Sequence, residues 1–366
     1  MNPVKILYLI NSFDGGGAER AMTRIVSTLS QEKYDIRVGA LKRGKGHIQP
    51  VLRRMNVDHF HLNAASMFDL SVFLKLCHYI RENDVDVIWM SLFHATIVGR
   101  VVGAWMKVPI LLNWEHSSNL GSPFRILLRR LTNHLSDAVI ADSSATAKAL
   151  LNQKLGSDTQ LHVVPIAGLD LSNFEQRTYG KNSPVVIGTV ANLYGHKGID
   201  ILLRVAYEIS NIESAVRFII VGEGPARNEL EKQARELEVD DKVEFWGWRD
   251  DIPTLLSGFD IYFQPSRWEG MGVAVIEAMA AGLPVVASMV GGHKESIHDG
   301  VHGFLVDKDD IKGMTRALLK LIRDPALRKK VGQKGRQRAV ENYSLRVMGQ
   351  KLESILDTLI EEKVSR

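Results

Sequence analysis

Cysteine is almost missing from this sequence, whose 366 residues include one, Cys77. A single cysteine cannot form an internal disulfide, so a disulfide-stabilised scaffold is excluded and a reducing compartment is favoured. Cys77 lies in an apolar run, and we interpret it as a small residue in or near a hydrophobic core.

Long hydrophobic runs are missing as well. The most apolar stretches, such as residues 273–281, contain a charged residue and fall short of the ~20 residues that a membrane-spanning helix needs. The apolar run at residues 6–10 is too short for the hydrophobic region of a signal peptide. We therefore expect a cytoplasmic protein.

The overall composition is typical of a soluble globular protein, with 45% hydrophobic and 24% charged residues. The length suits two α/β domains better than one core. The net charge of +4 is uneven, because residues 1–168 include 19 basic and 13 acidic residues, whereas residues 169–366 include 27 and 29. The basic first half suggests an anionic partner, such as a membrane surface, a lipid-linked phosphate or a nucleic acid.

Short apolar segments alternate with helical segments along the chain. Strands are expected at 5–10, 35–41, 86–90, 109–113, 137–141 and 162–165, and again at 185–190, 217–221, 242–245, 260–264 and 284–288. This alternation predicts an α/β protein with two Rossmann-like, doubly wound domains and mostly parallel sheets. Such domains face a central cleft, which is the expected ligand site.

The domain boundaries follow from a change in composition. We predict a first domain at 1–168 and a polar linker at 169–184 that contains Gly180, Asn182, Ser183 and Pro184. A second domain is predicted at 185–343. A C-terminal helix at 344–366 is expected to return to the first domain.

The first candidate site is the glycine-rich segment 11–20, between the first strand and the first helix. Gly15, Gly16 and Gly17 allow a ligand to approach closely, and the N–H groups of a helix N-terminus favour a phosphate or an oxyanion. The alternative is a tight turn that needs a positive φ. The segment does not match G-x-G-x-x-G and no Walker lysine follows, so dinucleotide-binding and P-loop functions are disfavoured.

Two further segments follow predicted strands. His116, in segment 114–118, could donate a hydrogen bond or carry a proton, although an isolated histidine is more often an ordinary one. Lys197, in segment 188–198, could bind a pyrophosphate, the alternative being a solvated surface lysine.

The most informative segment is 266–279, which contains Glu269 and Glu277. Glu277 falls in an otherwise apolar helix, where burying a carboxylate is costly unless it is hydrogen-bonded. The paired hydroxyls of a sugar would supply such bonds. The alternative is that Glu277 bonds a neighbouring backbone group.

These residues also carry a resemblance to a known family. Glu269 and Glu277, with seven residues between them, resemble the E-x7-E signature of the retaining GT-B glycosyltransferases, in particular family GT4. Segments 221–225 (VGEGP) and 277–287 (EAMAAGLPVVA), followed by Gly291 and Gly292, are similar to the same family. Segment 16–20 (GGAER) resembles members that build bacterial cell-surface polysaccharides. The resemblance covers nearly the whole chain and is specific for the family rather than for the substrate.

The resemblance implies transfer of a hexose-type sugar from a nucleotide-diphosphate sugar, linked to UDP or GDP, to an acceptor hydroxyl with retention of configuration. It implies no required cofactor and no metal. Its implied catalytic residues are Glu269 at the donor sugar, Lys197 at the phosphates and His116 near the transferred sugar. The implied substrate-binding residues are Gly16, Gly17, Asn192, Gly222, Trp248, Arg249, Arg267, Gly270, Met271, Gly272, Val273 and Glu277.

Within that set, Glu277 would hold the ribose hydroxyls, and the backbone amides of 271–273 would contact sugar hydroxyls or the distal phosphate. Gly16 and Gly17 would let the first domain close on the phosphates. The loop 247–250 would flank the nucleobase. Lys197 and helix N-termini would stabilise the charge that grows on the diphosphate leaving group.

One position departs from the family. The family usually has an arginine five residues before the phosphate-binding lysine, where this sequence has Asn192. Either Asn192 donates a neutral hydrogen bond, or Arg267 or another basic residue compensates, or the activity is weak.

Two D-x-D pairs have the spacing that metal-dependent transferases of the other main fold use. They are Asp84 with Asp86 and Asp307 with Asp309. We interpret the first pair as a strand edge and the second as a helix cap.

The segment 124–131 (FRILLRRL) is basic and amphipathic, which suits contact with an anionic bilayer. The alternative is a core-packed helix with a solvated basic face. With membrane contact, the acceptor would be a lipid-linked glycan and the protein would work at the inner face of the cytoplasmic membrane. Nucleic acid is disfavoured as a partner, because no stacking aromatic residues interleave with these charges.

Two other functions stay open from the sequence. A nucleotide-sugar epimerase on the same fold would need a set of general acids and bases instead of an acceptor groove. A catalytically inactive nucleotide-sugar-binding protein is suggested only by Asn192, and Glu269, Glu277, Lys197 and His116 argue against it.

Overall fold

The structure, a computed structural model, describes residues 3–66, 69–116, 120–157, 160–165, 167–175, 179–180 and 183–364. The chain divides into two compact units. The first contains Met1–Gly168 and Leu345–Arg366, and the second contains Leu169–Ser344. Asn182, in the predicted linker, lies outside the described residues.

The first unit is built on a parallel sheet. Its strands are β1 (Val4–Ile10), β2 (Tyr34–Ala40), β3 (His59–His61), β4 (Val87–Ser91), β5 (Ile110–Glu115), β6 (Ala138–Ala141) and β7 (Leu161–Val163). Among the described residues, the strand order is β3-β2-β1-β4-β5-β6-β7 and every pairing is parallel. The order reverses between β1 and β4, and doubly wound sheets bind ligands beyond the carboxyl ends of their strands at such a switch point.

Helices connect these strands. They are α1 (Gly17–Thr28), α2 (Gln49–Arg54), α3 (Leu70–Asn83), α4 (Phe93–Trp105), α5 (Pro123–Asn133) and α6 (Ser144–Asn152). Helix α4 packs on β1, β4 and β5 and contacts both α3 and α5, so these three helices are neighbours.

The second unit repeats the same architecture. Its strands are β8 (Val185–Val190), β9 (Val216–Val221), β10 (Val243–Gly247), β11 (Ile261–Gln264), β12 (Val285–Ser288) and β13 (Phe304–Val306). Their order is β10-β9-β8-β11-β12-β13, again parallel in each pair, with the switch point between β8 and β11. The helices are α7 (Ile199–Ser210), α8 (Arg227–Glu236), α9 (Ile252–Ser257), α10 (Val273–Ala280), α11 (His293–Ser296), α12 (Ile311–Arg323) and α13 (Pro325–Tyr343).

The last helix, α14 (Leu345–Val364), packs against α1 in the first unit. The Glu353 carboxylate accepts a hydrogen bond from the backbone N–H of Ser30 at 3.1 Å, and Asp357 accepts one from the Tyr34 hydroxyl at 3.0 Å. Leu352 is fully buried. The first unit is therefore made of two separate stretches of chain.

The central strands are buried along their whole length because helices cover both faces of each sheet. All residues of β4, β5, β6, β11 and β12 are buried. The predicted fold class is confirmed, and each predicted strand is present, with the bounds of 185–190 unchanged and the ends of the others shifted by one or two residues. Two strands of three half-buried residues, β3 and β13, were not predicted, because neither has a fully buried apolar run.

Candidate active site

The loop between β11 and α10 carries five predicted site residues, which are Arg267, Glu269, Gly270, Met271 and Gly272. Glu269 of this loop and Lys197 of the loop after β8 form the central contact, with 2.7 Å between Lys197 Nζ and Glu269 Oε1. Their side chains are 20% and 11% exposed. Lys197 follows β8 and Glu269 follows β11, which are adjacent strands, so the switch point of the sheet brings the two residues together.

A chain of buried polar side chains holds the Glu269 carboxylate. The Ser266 hydroxyl donates to Glu269 Oε1 at 2.8 Å, and the Gln264 amide donates to Ser266 Oγ at 2.9 Å. The Tyr262 hydroxyl donates to Gln264 Oε1 at 2.9 Å. These bonds fix the orientation of the carboxylate before any ligand arrives.

The ionisation of Glu269 follows from the same contacts. Burial alone would raise its pKa, but the Lys197 ammonium and the Ser266 hydroxyl hold the pKa below its ordinary value. Glu269 is therefore a carboxylate at neutral pH and is suited to accept hydrogen bonds from sugar hydroxyls, not to act as a general acid.

Close backbone packing shapes the loop that ends at Gly272. Gly272 is the N-cap of α10 with φ 74° and ψ 51°, a left-handed conformation that favours glycine. A Cβ at this position would lie 2.5 Å from Cδ2 and 2.7 Å from Nε2 of His293. A Cβ on Gly291 would lie 1.8 Å from the carbonyl oxygen of Glu269. The loop therefore packs closely against α11 and against the turn that precedes α11.

The same glycine leaves the first turn of α10, which begins at Val273, without a side-chain cap. Uncapped N–H groups at a helix N-terminus attract anions. Gly270 and Met271 lie in this loop, and Met271 is buried. The predicted contacts of the backbone amides of 271–273 with a phosphate or a sugar hydroxyl stay a prediction, which the uncapped start of α10 supports.

Glu277 is half-buried on α10. The expectation of a buried carboxylate was wrong, because the helix buries positions 275, 276, 278 and 279 while 273, 274 and 277 share its less buried face. Burial raises the pKa of Tyr262, and the charges of Glu277 and Glu269 raise it further. Both carboxylates are therefore close enough to Tyr262 for their charges to disfavour its ionisation.

Arg267 is held by acidic side chains. Its guanidinium donates to both carboxylate oxygens of Asp200, at 2.8 and 2.7 Å, and Nε lies 3.3 Å from Asp309 Oδ1. Two carboxylates balance its charge, which argues against Arg267 as the substitute for the missing family arginine. Asn192 itself is exposed at the carboxyl end of β8.

The other predicted residues of the second unit lie around the ends of β9 and β10. Gly222 has φ 138°, and a Cβ there would lie 2.0 Å from the carbonyl oxygen of Ala191, so the packing of two loops already requires this glycine. The Trp248 ring is exposed after β10, and Arg249 pairs with Asp251 at 2.8 and 2.6 Å.

The glycine loop of the first unit lies between β1 and α1. Gly15 has φ 91°, so the alternative of a tight turn that needs a positive φ explains this one glycine. A Cβ at Gly16 would lie 2.8 Å from the Glu19 carboxylate, whereas a Cβ at Gly17 would meet nothing within 4 Å. Space is therefore left beside the N-terminus of α1, and no steric contact in the described residues requires Gly17.

His116 follows β5 and belongs to a short polar relay. Its Nε2 lies 3.1 Å from Ser91 Oγ, which is 2.5 Å from the Tyr8 hydroxyl oxygen. Its Nδ1 is buried and has no hydrogen-bond partner in the part of the chain that the structure describes. Burial lowers the pKa of His116 to about 3, so the ring is neutral at physiological pH and the predicted role as a proton carrier is disfavoured. Ser117 and Ser118 of the predicted segment lie outside the described residues.

Behind His116, the other face of β5 carries a buried ionic network. Glu115 pairs with Arg129 of α5, and both side chains are less than a tenth exposed. Arg100 of α4 is also buried and donates to Ser136 Oγ at 2.7 Å and to Asn113 Oδ1 at 2.9 Å. This network joins α4 and α5 to the strand that positions His116.

The D-x-D aspartates have structural contacts. Asp86 accepts a hydrogen bond from the backbone N–H of Lys5 at the edge of β1. The helix cap expected at Asp307 or Asp309 falls instead on Asp310, which accepts from the backbone N–H of Gly313. Within the described ranges, no group of three or more His, Cys, Asp or Glu side chains is arranged to hold a metal ion.

Several contacts of this site had no signal in the sequence. His293 is fully buried, and its Nδ1 lies 3.0 Å from the carbonyl oxygen of Ser288, while its Nε2 has no partner among the described residues. Ser91 meets Tyr8 across 83 positions and His116 across 25 positions. Only the adjacency of parallel strands could have indicated them.

Two family profiles match the chain one after the other. The family described as Glycosyltransferase Family 4 matches residues 15–167, and the family described as Glycosyl transferases group 1 matches residues 172–338. The chain belongs to these glycosyltransferases.

This glycosyltransferase is 24% identical over 338 residues to the lipopolysaccharide core biosynthesis glycosyltransferase LpsE of Rhizobium meliloti (strain 1021), with 90% of this chain and 92% of that protein covered. It is 24% identical over 334 residues to the UDP-Gal:alpha-D-GlcNAc-diphosphoundecaprenol alpha-1,3-galactosyltransferase of Escherichia coli, with 85% and 86% covered. The crystal structure of Anabaena Alr3699/HepE in complex with UDP and glucose has a TM-score of 0.86 at 23% identity, covering 97% of this chain and 100% of that one.

These relatives confirm the predicted family and the glycosyltransferase activity, and the structural similarity confirms the predicted fold. Neither the epimerase nor the inactive binding protein is favoured by them. Across the described residues, no helix of this glycosyltransferase combines the length and the apolar character needed to cross a bilayer.

Proposed function

We propose that this glycosyltransferase moves a hexose from a UDP-sugar to a hydroxyl group of a lipid-linked glycan, with retention of configuration. The observation that carries the proposal is the Lys197–Glu269 pair, 2.7 Å apart, in the loops beside the uncapped N-terminus of α10. A cation, an oriented carboxylate and free backbone N–H groups in one place match the phosphates and hydroxyls of a sugar diphosphate.

The reaction breaks the bond between the sugar and the diphosphate, and negative charge grows on the leaving group. Lys197 and the N-terminus of α10 stabilise that charge. Glu269 accepts hydrogen bonds from donor-sugar hydroxyls, Glu277 holds the ribose, and His116 donates a hydrogen bond to the transferred sugar. The acceptor hydroxyl attacks the same face of the sugar, and no protein nucleophile is assigned.

Uracil is the base that the comparisons favour. The Escherichia coli relative is named as a UDP-Gal enzyme, and the Anabaena structure contains UDP. In this chain, the exposed Trp248 ring after β10 offers an apolar face to a base. A GDP-sugar is the alternative donor.

A lipid-linked acceptor is supported by the surface of α5. The helix exposes an apolar stripe, with Phe124 57%, Leu127 52% and Leu131 60% exposed, whereas the buried position between them holds Arg129. A core-packed helix would bury such a stripe, whereas α5 packs the half-buried Ile126 against the core and exposes Arg125 and Arg130 together with the stripe.

The neighbouring helices extend this apolar surface. Trp105 of α4 is 74% exposed and lies edge-on to Phe73 of α3, with ring centroids 6.5 Å apart. The other exposed apolar side chains of these two helices are Val101, Leu70 and Leu74. Helices α4 and α5 contain no acidic residue, and α5 exposes Arg125 and Arg130. We propose that this face contacts an anionic membrane, where apolar side chains enter the interface and arginines meet the headgroups.

The donor is tested by thermal-shift and calorimetric titration with UDP, GDP, ADP and their sugar conjugates, with and without EDTA. UDP and a UDP-sugar should raise the melting temperature, and EDTA should leave the shift unchanged. A shift with GDP alone would move the proposal to a GDP-sugar, and the absence of any shift would overturn the donor site.

Variants separate the assigned roles. Glu277→Ala should weaken UDP binding, whereas Glu269→Ala and His116→Ala should mainly lower turnover. Glu229→Ala, at an exposed carboxylate on α8, is the control and should change neither quantity. Unchanged kinetics in all three site variants would refute the assignment, and product analysis for an epimerised sugar would identify the rival reaction.

The membrane contact is tested by flotation with vesicles of neutral phosphatidylcholine, with and without anionic phosphatidylglycerol. The protein should float with anionic vesicles, and replacing Phe124 and Leu127 by serine should abolish flotation while UDP binding is retained. Replacing Leu151 on α6, which is 39% exposed, is the matched control. Equal flotation of all variants would refute this face as the contact.

A further inference from the structure

The Tyr8–Ser91–His116 relay determines which nitrogen of the histidine carries the proton. Tyr8 on β1 and Ser91 on β4 are fully buried, and these strands flank the switch point of the first sheet. The Tyr8 Oη to Ser91 Oγ distance is 2.5 Å, and the Ser91 Oγ to His116 Nε2 distance is 3.1 Å. Each distance allows a hydrogen bond in either direction, so the number of hydrogens and acceptors must decide.

Only one direction satisfies both hydroxyl hydrogens. In the described structure, the Tyr8 hydroxyl has Ser91 Oγ as its hydrogen-bond partner, so the phenol must donate to it or leave a buried hydrogen unpaired. Once Ser91 accepts from Tyr8, its own hydrogen is directed to His116 Nε2. An imidazole nitrogen that accepts a hydrogen bond carries no proton. Neutral His116 then carries its proton on Nδ1, and this is the one hydrogen of the relay that the arrangement leaves without an acceptor among the described residues.

The reverse direction fails this requirement. If His116 Nε2 donated to Ser91, either Ser91 would donate to Tyr8 and the phenol hydrogen would have no acceptor among the described residues, or Tyr8 would also donate to Ser91 Oγ and the serine hydrogen would have none. Either unpaired hydrogen would lie on a fully buried residue, whereas His116 is half-buried. Burial raises the pKa of Tyr8, so the phenol keeps that hydrogen at any physiological pH. Burial also keeps His116 neutral, which excludes the state with protons on both nitrogens.

Aromatic stacking holds the relay in place. The Tyr8 ring stacks on Trp89 at 5.6 Å, Trp89 on Trp114 at 5.9 Å, and Trp114 on His116 at 5.9 Å between centroids. This ladder crosses three adjacent strands and fixes the plane of the imidazole. The buried Nδ1 at its end has no partner among the described residues.

We propose that Tyr8 and Ser91 are positioning residues that lock His116 as its Nδ1–H tautomer, so that the ring donates a hydrogen bond from Nδ1 to an oxygen atom of the donor sugar. The proposal deepens the role of His116 in the proposed function and rests on it. His116 is thereby a neutral donor, and it neither removes the acceptor proton nor protonates the leaving group.

The tautomer is measured directly by two-bond ¹⁵N–¹H correlation spectra of the protein labelled at histidine nitrogens. The variant His116→Gln identifies the His116 signals among those of the 12 histidines. The wild type should show its proton on Nδ1. Ser91→Ala removes the donor to Nε2, so the preference for the Nδ1–H tautomer should be lost. Tyr8→Phe should weaken that preference.

Turnover is measured as UDP release from UDP-galactose and UDP-glucose. Ser91→Ala should lower kcat about 2- to 12-fold, the factor that corresponds to one neutral hydrogen bond. The Kd for UDP should stay unchanged. In the His116→Gln background, Ser91→Ala should cause no further loss, because the relay then has nothing to orient.

Ser136→Ala is the matched control, since it also removes a buried hydroxyl of the first unit, one that accepts from Arg100. It should lower stability without changing kcat or the tautomer. An unchanged tautomer in Ser91→Ala, or an equal loss of kcat in the His116→Gln background, would overturn the proposal. If the wild type released no UDP from either sugar, the proposed donor would fail instead, while the spectra would still decide the tautomer.

Discussion

The contact between Gly272 and His293 predicts a large effect of one added methyl group. In Gly272→Ala, the residue keeps a left-handed conformation at φ 74°, which costs a non-glycine residue about 1–2 kcal/mol. Its Cβ would also lie 2.5 Å from a fully buried imidazole that cannot move without breaking the bond to Ser288. Overpacking of this kind costs about 1–3 kcal/mol. The total is about 3 kcal/mol, or about 6–12 °C in Tm for a domain of this size.

Two other glycines of the second unit separate the conformational cost from the overpacking cost. Gly300 has φ 71° with nothing within 4 Å of an added Cβ, so Gly300→Ala carries the conformational cost alone. Gly258 has φ −82°, and its Cβ would make an ordinary contact at 3.4 Å, so Gly258→Ala should be neutral or slightly stabilising. Differential scanning calorimetry should therefore order the melting temperatures as Gly258→Ala, then Gly300→Ala, then Gly272→Ala.

The clash has a specific second-site test. In a His293→Ala background, Gly272→Ala should cost no more than Gly300→Ala does, because the ring is gone. The UDP affinity of Gly272→Ala should fall about tenfold or more, since the displaced N-terminus of α10 loses charge-assisted hydrogen bonds. Equal melting temperatures for Gly272→Ala and Gly300→Ala would refute the reasoning.

Three further predictions concern charge. Asn192→Arg adds a cation at an exposed position beside the proposed site of the leaving diphosphate, and calorimetry should find UDP binding up to about fivefold tighter, with the gain lost at high salt. The pKa of His116 is about 3 in the folded protein, against a reference value of 6.5 for the unfolded chain. Below pH 6.5 the unfolded chain binds a proton that the folded protein does not bind. The free energy of unfolding is therefore highest above pH 6.5 and falls by about 1.4 kcal/mol per pH unit as the pH falls towards 3. Melting curves between pH 6.5 and 5 should thus depend less on pH in His116→Gln, and an unchanged slope would contradict the depressed pKa. Arg129→Met leaves the buried Glu115 unpaired and should cost about 3–5 kcal/mol in urea denaturation, whereas the exposed Arg130→Met should cost under about 1 kcal/mol.

The sequence was sufficient for the fold because the central strands are buried on both faces. Strand β4, for example, is five consecutive buried residues, and such runs between amphipathic helices can be read directly. Strand β3 escaped prediction because its three residues are only half-buried, and helix α2 because it has only six residues. Their existence depends on neighbours that the local pattern does not contain.

The candidate site was only partly predictable for a related reason. Glu269 and Glu277 lie on one loop and the helix after it, so their spacing could be recognised locally. The partner of Glu269 is Lys197, 72 positions away, and Tyr8 meets Ser91 across 83 positions. Such pairs form because parallel strands bring their carboxyl ends to one edge, and a linear pattern does not specify the register.

The packing of α14 on the first unit has a consequence for the order of folding during synthesis. The residues that contact α14, among them Ser30 and Tyr34, leave the ribosome more than three hundred positions before Glu353 and Asp357 do. The second unit can form from one continuous stretch, Leu169–Ser344, during that interval. The first unit, although made first, acquires its last helix afterwards. A nascent chain stalled before Leu345 should therefore protect the second unit from protease while the surface around α1 stays open to cleavage or to chaperones.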